Sequence, residues 1–112
     1  MKKQVINVLG TRYMLEEKNI KEDPKLEEFD GYFDNTVRKM VVDDMESVKN
    51  DFTAKEDLEE HKKKVKRHEI IHAFLYESGL GPECSWACEE MIDWLAIQSP
   101  KIFKEFQTAD LL

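Results

Sequence analysis

The chain has 112 residues, 41% of them hydrophobic and 37% charged, and a formal net charge of −7. That length suits one domain, 1–112, with a modest interior, and the acidic balance argues against nucleic acid or an anionic membrane as a partner. No apolar run approaches the ~20 residues that span a bilayer.

The first ten residues carry two lysines, but Gln4, Asn7 and Gly10 interrupt any apolar signal core. A cytoplasmic protein is expected. In that compartment Cys84 and Cys88 should be free thiols packed as small core residues. Their spacing lacks the second Cys/His pair of a structural zinc module.

Residues 4–17, QVINVLGTRYMLEE, are rich in β-branched and aromatic types around a Gly-Thr pair. They predict a hairpin turning at Gly10, where glycine supplies a positive φ. Residues 22–31, EDPKLEEFDG, predict a short helix with Asp23 as N-cap, Pro24 in the first position and Gly31 as its stop. Residues 32–44 return to strand character, with a turn at Asp34-Asn35 and the better strand over 37–42. The strand-rich part thus covers about 1–45 and the helical part 53–112.

Thr53-Ala54-Lys55-Glu56 has the spacing of a capping box, which opens a helix over 54–78. Such a helix would be about 37 Å long, more than the roughly 34 Å across a compact domain of this size. Its charged end, 55–67, is expected to overhang the core and to leave His61 solvated. The basic run 61–67 follows the acidic stretch 55–60, so charge pairing along the helix accounts for it better than a localisation signal or phosphate patch. The stripe Leu58, Val65, His68, His72, Leu75 is expected to face inward, and residues 70–75, apolar on nearly every side, to be buried. Gly79-Leu80-Gly81-Pro82 marks a break. A second helix is expected from about Pro82 to Gln98, with Trp86 and Trp94 as packing anchors, and Ser99-Pro100 opens a third. Strands followed by helices make the chain α+β: a small antiparallel sheet or hairpins packed on two or three helices.

The chemistry sits in RHEIIHAFLYESGL, residues 67–80. His68 and His72 lie one helical turn apart on one face. Two imidazoles at that spacing can bind one metal ion, and Glu69 beside the first can reach a metal-bound water. A third ligand is needed, and His61, two turns back on the same helix, is too far to supply it. Glu89 and Glu90, 17 and 18 residues after His72, are both candidates once the break folds the second helix back. Glu89 shares a face with Asp93 and Ala96, Glu90 one with Trp94.

His68-Glu69-Ile70-Ile71-His72 followed by Glu89-Glu90-Met91-Ile92-Asp93-Trp94-Leu95-Ala96 resembles the paired signatures of gluzincin metallopeptidases. The resemblance is closest to the small phage- and prophage-encoded branch near the ImmA/IrrE type. It implies a minimal zincin-like domain with the HExxH helix central, and Zn2+ held by His68, His72 and Glu89, with Glu90 the alternative third ligand. It implies Asp93 as the hydrogen-bond partner of a ligand histidine, His68, since a ligating imidazole commonly donates its other N–H to a carboxylate. The activity implied is hydrolysis of a peptide bond in a peptide or single protein substrate, with Glu69 activating zinc-bound water. By the same resemblance the edge strand ahead of the metal helix, here 37–43, would hold substrate by strand addition.

Cys88 stands where many such zincins have Asn, and the third histidine of a metzincin is absent. Tyr76, Tyr32 and Arg12 are candidate oxyanion donors, and nothing in the sequence selects one. Two other functions fit the same residues: a non-catalytic zinc-containing protein-binding module, and a metal-free helical interaction protein whose histidines are core.

Overall fold

A computed structural model describes residues 2–48, 56–81 and 84–112. The chain opens with a hairpin of β1 (Lys2–Val8) and β2 (Thr11–Lys18), paired antiparallel from Lys2↔Glu17 to Val8↔Thr11. Leu9 and Gly10 between them have φ of 51° and 90°. Two positive φ values are the mark of the two-residue turn whose twist matches the strands. Asn7 Oδ1 accepts from the Gly10 N–H at 2.8 Å and holds the turn.

The expected helix over 22–31 is one 3-10 turn, Pro24–Glu27, capped by Asp23, whose side chain accepts from Lys25 N at 3.2 Å. Leu26 is its only buried residue. With no second apolar turn to bury, the helix stops, and Gly31 opens strand β3 (Gly31–Asp34) instead of closing a helix. After a turn, β4 (Lys39–Asp43) follows.

The sheet order is β1-β2-β4-β3, with β2 and β4 parallel from Met14↔Lys39 to Lys18↔Asp43. The sheet is therefore mixed, where an antiparallel one was expected. Parallel neighbours need a long crossover, and residues 19–38 supply it. They carry the chain across the back of the sheet, where Asp23 accepts the Tyr32 hydroxyl, and lay β3 at the far edge before β4 returns inside. The edge position expected for 37–43 is thus corrected. Met40, Val41 and Val42 are all fully buried, and a run that fills both faces belongs to a central strand. The edge strands are β1 and β3, and β3 is the one beside β4.

Helix α1 (Leu58–Glu77) starts later than the capping box at Thr53 implies. Thr53 itself lies outside the described residues. Asp57 is the cap, accepting from Glu60 N at 3.0 Å; Asp57-x-x-Glu60 repeats the same spacing one turn on. The charged end does not overhang. Lys62 and Lys66 extend their ammonium groups to the Glu17 carboxylate, at 3.1 and 2.8 Å, and Lys62 and Glu17 are buried. Their apolar stems cover the sheet while the charged heads meet a partner. His61 is not solvated either, because its Nε2 lies 2.8 Å from Asp30 Oδ2.

The buried stripe of α1 is Lys62, Val65, Glu69 and Ala73. It is rotated from the expected one, so His68 and His72 stand beside the core and do not point into it. Phe74 is exposed, so residues 70–75 are not buried all round. The principal core joins Val8, Tyr13, Leu15, Met40, Val42, Met45, Val65 and Ala73.

Residues 84–88 are turn and coil, and α2 runs unbroken over Glu89–Thr108 with Pro100 inside it. The expected start at Pro82 falls outside the described residues, and the expected third helix is the second half of α2. A proline inside a helix leaves the carbonyl four residues back without its N–H donor. Arg67 Nε donates to that Ala96 carbonyl at 2.6 Å, and the helix continues. Ile92 and Ala96 are the buried anchors of α2, while Trp86 and Trp94, expected in that role, are 50% and 52% exposed. No described helix is long and apolar enough to cross a membrane.

Helix α1 passes so close to β3 that a Cβ on Gly31 would lie 2.9 Å from Val65 Cγ1 and 3.0 Å from the Val41 carbonyl oxygen. Gly31→Ala is expected to push α1 off the strand and to cost about 1–3 kcal/mol, the range for forced overpacking. Urea unfolding of the two proteins measures this; an unchanged midpoint would show that α1 does not press on β3.

Candidate metal centre

A cleft of about 880 Å³ lies between β3 and the two helices, lined by Tyr32 and Phe33 from the strand, His61, His68, Glu69 and His72 from α1, and Cys88, Glu89 and Asp93 from α2. The spacing of four puts His68 and His72 on one face of α1, with ring centroids 5.0 Å apart. Glu89, in the first turn of α2, reaches both. Its Oε2 is 3.0 Å from His68 Nε2 and its Oε1 2.9 Å from His72 Nε2. One ligand atom from each of these three residues lies within 4.8 Å of the others, so the group can hold a metal ion. It is the only such group of three or more among the described residues.

Asp93, one turn beyond Glu89, brings Oδ1 to 3.5 Å from His68 Nδ1 and to 3.7 Å from Lys64 Nζ. His68 thus turns one nitrogen to Glu89 and the other to Asp93. Glu90 is exposed and outside the cluster. Cys88, the N-cap of α2, lines the cleft and is exposed, and Cys84 is only half-buried. Neither is the core residue expected, and no sulfur joins the cluster among the described residues.

Glu69 is turned about 100° from His68 on the helix, toward the sheet. It is buried yet lines the cleft, and it has no hydrogen-bond or ion-pair partner among the described residues. Burial pushes its carboxyl up to about 7, and the Glu89 carboxylate adds to the rise. Burial also holds His72 below the ordinary imidazole range, against the opposing pull of Glu89. That favours the neutral ring, the form that binds metals.

Of the three candidate oxyanion donors, Tyr32 donates its hydroxyl to Asp23 and Arg12 is exposed away from the cleft. Tyr76 lines the cleft with no partner for its hydroxyl among the described residues. Two neighbours of the cluster were missed in the sequence. Lys64 sits four residues before His68, a spacing that could have flagged it. Phe33 stacks on His72 with centroids 6.3 Å apart and planes at 7°, and nothing in a four-residue strand announces that contact.

No family model, curated protein or solved structure matches the chain. The geometry itself separates the candidates. Glu89→Gln is expected to weaken Zn2+ binding far more than Glu90→Gln, and Asp93→Ala to lower affinity about 10–100-fold by releasing the imidazole it orients. Competition against a chromophoric chelator measures all three. Equal losses for the two glutamates, or full affinity without Asp93, would contradict these assignments.

Proposed function

We propose that His68, His72 and Glu89 form a gluzincin-type zinc centre on a minimal zincin-like fold, and that the protein is a zinc-dependent peptidase acting on a peptide or single protein substrate. The observation that carries this is one carboxylate set between two Nε2 atoms of a His-Glu-x-x-His helix. The donor set fits the ion. Two imidazole nitrogens and a carboxylate oxygen are the ligands of known catalytic zinc sites, and four-coordinate zinc with bonds near 2.0–2.1 Å spaces its ligand atoms about 3.3 Å apart. Here one ligand atom from each of the three residues lies within 4.8 Å of the others, so the side chains would draw together by up to about 1.5 Å to reach that spacing. Bound there, zinc supplies Lewis-acid polarisation of a carbonyl and a lowered pKa for water.

The protein's own groups divide the remaining work. Asp93 fixes the ring of His68 through Nδ1. Glu69, which follows His68 and lines the same cleft, takes a proton from water and returns it to the leaving amine, as a general base and then acid. That it has no hydrogen-bond or ion-pair partner among the described residues supports that role, since a buried carboxylate kept for structure is ordinarily paired. The open edge of β3 forms one wall of the cleft, which suits an extended chain added as a further strand.

Glu69→Gln keeps the size of the side chain and removes the base. It is expected to retain zinc content and melting temperature while turnover on a peptide-library substrate falls about 10²–10⁴-fold. If Glu69→Gln loses its zinc, Glu69 holds the site together. If it keeps the parent's turnover, Glu69 is not the base.

A further inference from the structure

The cleft has two chemically different ends. Beyond His72 its walls are Phe33, Leu75, Tyr76 and Leu80; at the other end stand Glu28 and Asp30, the latter paired with His61. In the apolar end Phe33 lies against His72, and the Tyr76 ring meets Phe33 at 5.8 Å with planes tilted by 59°. Tyr76 is nevertheless 43% exposed. Aromatic surface held this firmly beside the metal-ligating histidines and left open to the cleft is shaped to receive another apolar group.

The register of β3 fixes where such a group would come from. Asp43 donates its N–H to the Asp30 carbonyl at 2.8 Å, and Gly31 is opposite Val42 and Phe33 opposite Met40. Because hydrogen-bonded and non-bonded pairs alternate in an antiparallel ladder, residues 30, 32 and 34 bond toward β4. Gly31 and Phe33 direct their N–H and C=O groups away from the sheet, toward its open edge. A chain added there pairs with those groups. The residue opposite Phe33 would place its side chain on the same side of the pleat as the Phe33 ring, against the exposed surface of the Phe33–Tyr76 pair.

We infer that the cleft takes an extended peptide carrying a large apolar side chain, aromatic or branched, at the residue that pairs with Phe33. This rests on the proposed function for the ligand being a peptide, and it does not require the metal to be bound.

The test is an NMR titration of the full-length labelled protein, with and without Zn2+, using two blocked heptapeptides that differ only in a central Phe or Ser. The Phe peptide is expected to bind about 10-fold or more tightly, the scale set by burying one aromatic side chain, and to shift the amides of Gly31 and Phe33. Tyr76→Ala should remove most of that preference without changing the circular dichroism spectrum, and Leu80→Ser should reduce it. Equal affinities, shifts confined to other elements, or no binding of either peptide at millimolar concentration would overturn the inference. A protein that holds zinc but shows no preference loses this inference and keeps the metal centre; one that prefers the Phe peptide but holds no zinc does the reverse.

Discussion

A buried charge cluster sets the rotation of α1, and the cleft depends on that rotation. Glu17 of β2 accepts ammonium groups from both Lys62 and Lys66, one turn apart on the helix. Burial alone would raise the Glu17 carboxyl, but the hydrogen bonds from Lys66 and Lys62 outweigh it and hold Glu17 below the usual carboxylate range. Burial would lower Lys62, and its contacts with Glu17 and Glu59 raise it instead. The two shifts agree: both groups are charged and each satisfies the other. Such a cluster is costly to break, since removing one partner leaves an uncompensated buried charge. With Lys62, Val65, Glu69 and Ala73 turned to the sheet, helical geometry leaves His68 and His72 on the flank. There they are half-buried and reachable, which suits a metal ligand better than a place inside the core.

The second constraint is the seam between the helices. Helix α2 buries only Ile92 and Ala96, so polar contacts must fix its position. Arg67 takes the carbonyl that Pro100 leaves without a donor, Lys64 reaches Asp93, and Glu89 spans the two histidines. The first turn of α2 is thereby held over the cleft while Glu89 remains 72% exposed at its side chain. A carboxylate that is fixed in position and still open to solvent would leave room beside any ion bound to it. Gly31 contributes from the opposite side, because only a residue without a side chain lets α1 press this close to β3.

Local signals in the sequence carried much of this and stopped where distant contacts took over. The hairpin at Leu9-Gly10 and the strands-then-helices order of an α+β chain followed from turn chemistry and composition. His68 and His72 with Glu89 or Glu90 were expected from two helical spacings joined by a break, the gluzincin resemblance implied Glu89 and added Asp93, and these four lie together. The helix start was ambiguous because Thr53-x-x-Glu56 and Asp57-x-x-Glu60 present the same pattern, and only tertiary packing chooses between them. The parallel pairing of β2 with β4 was not legible, since it depends on a crossover that the short 3-10 turn disguises as a helix. Pro100 read as a boundary because its compensation comes from Arg67, 29 residues before Ala96. His61 read as solvated because its partner, Asp30, lies in the strand region.

X-ray absorption at the zinc edge, on protein reconstituted with Zn2+ and dialysed against buffer, tests the central claim most directly. A centre built from His68, His72 and Glu89 predicts about one retained equivalent, nitrogen and oxygen neighbours near 2.0–2.1 Å, multiple-scattering features of imidazole, and no sulfur shell near 2.3 Å. Failure to retain zinc, or a sulfur shell from Cys84 or Cys88, would contradict it.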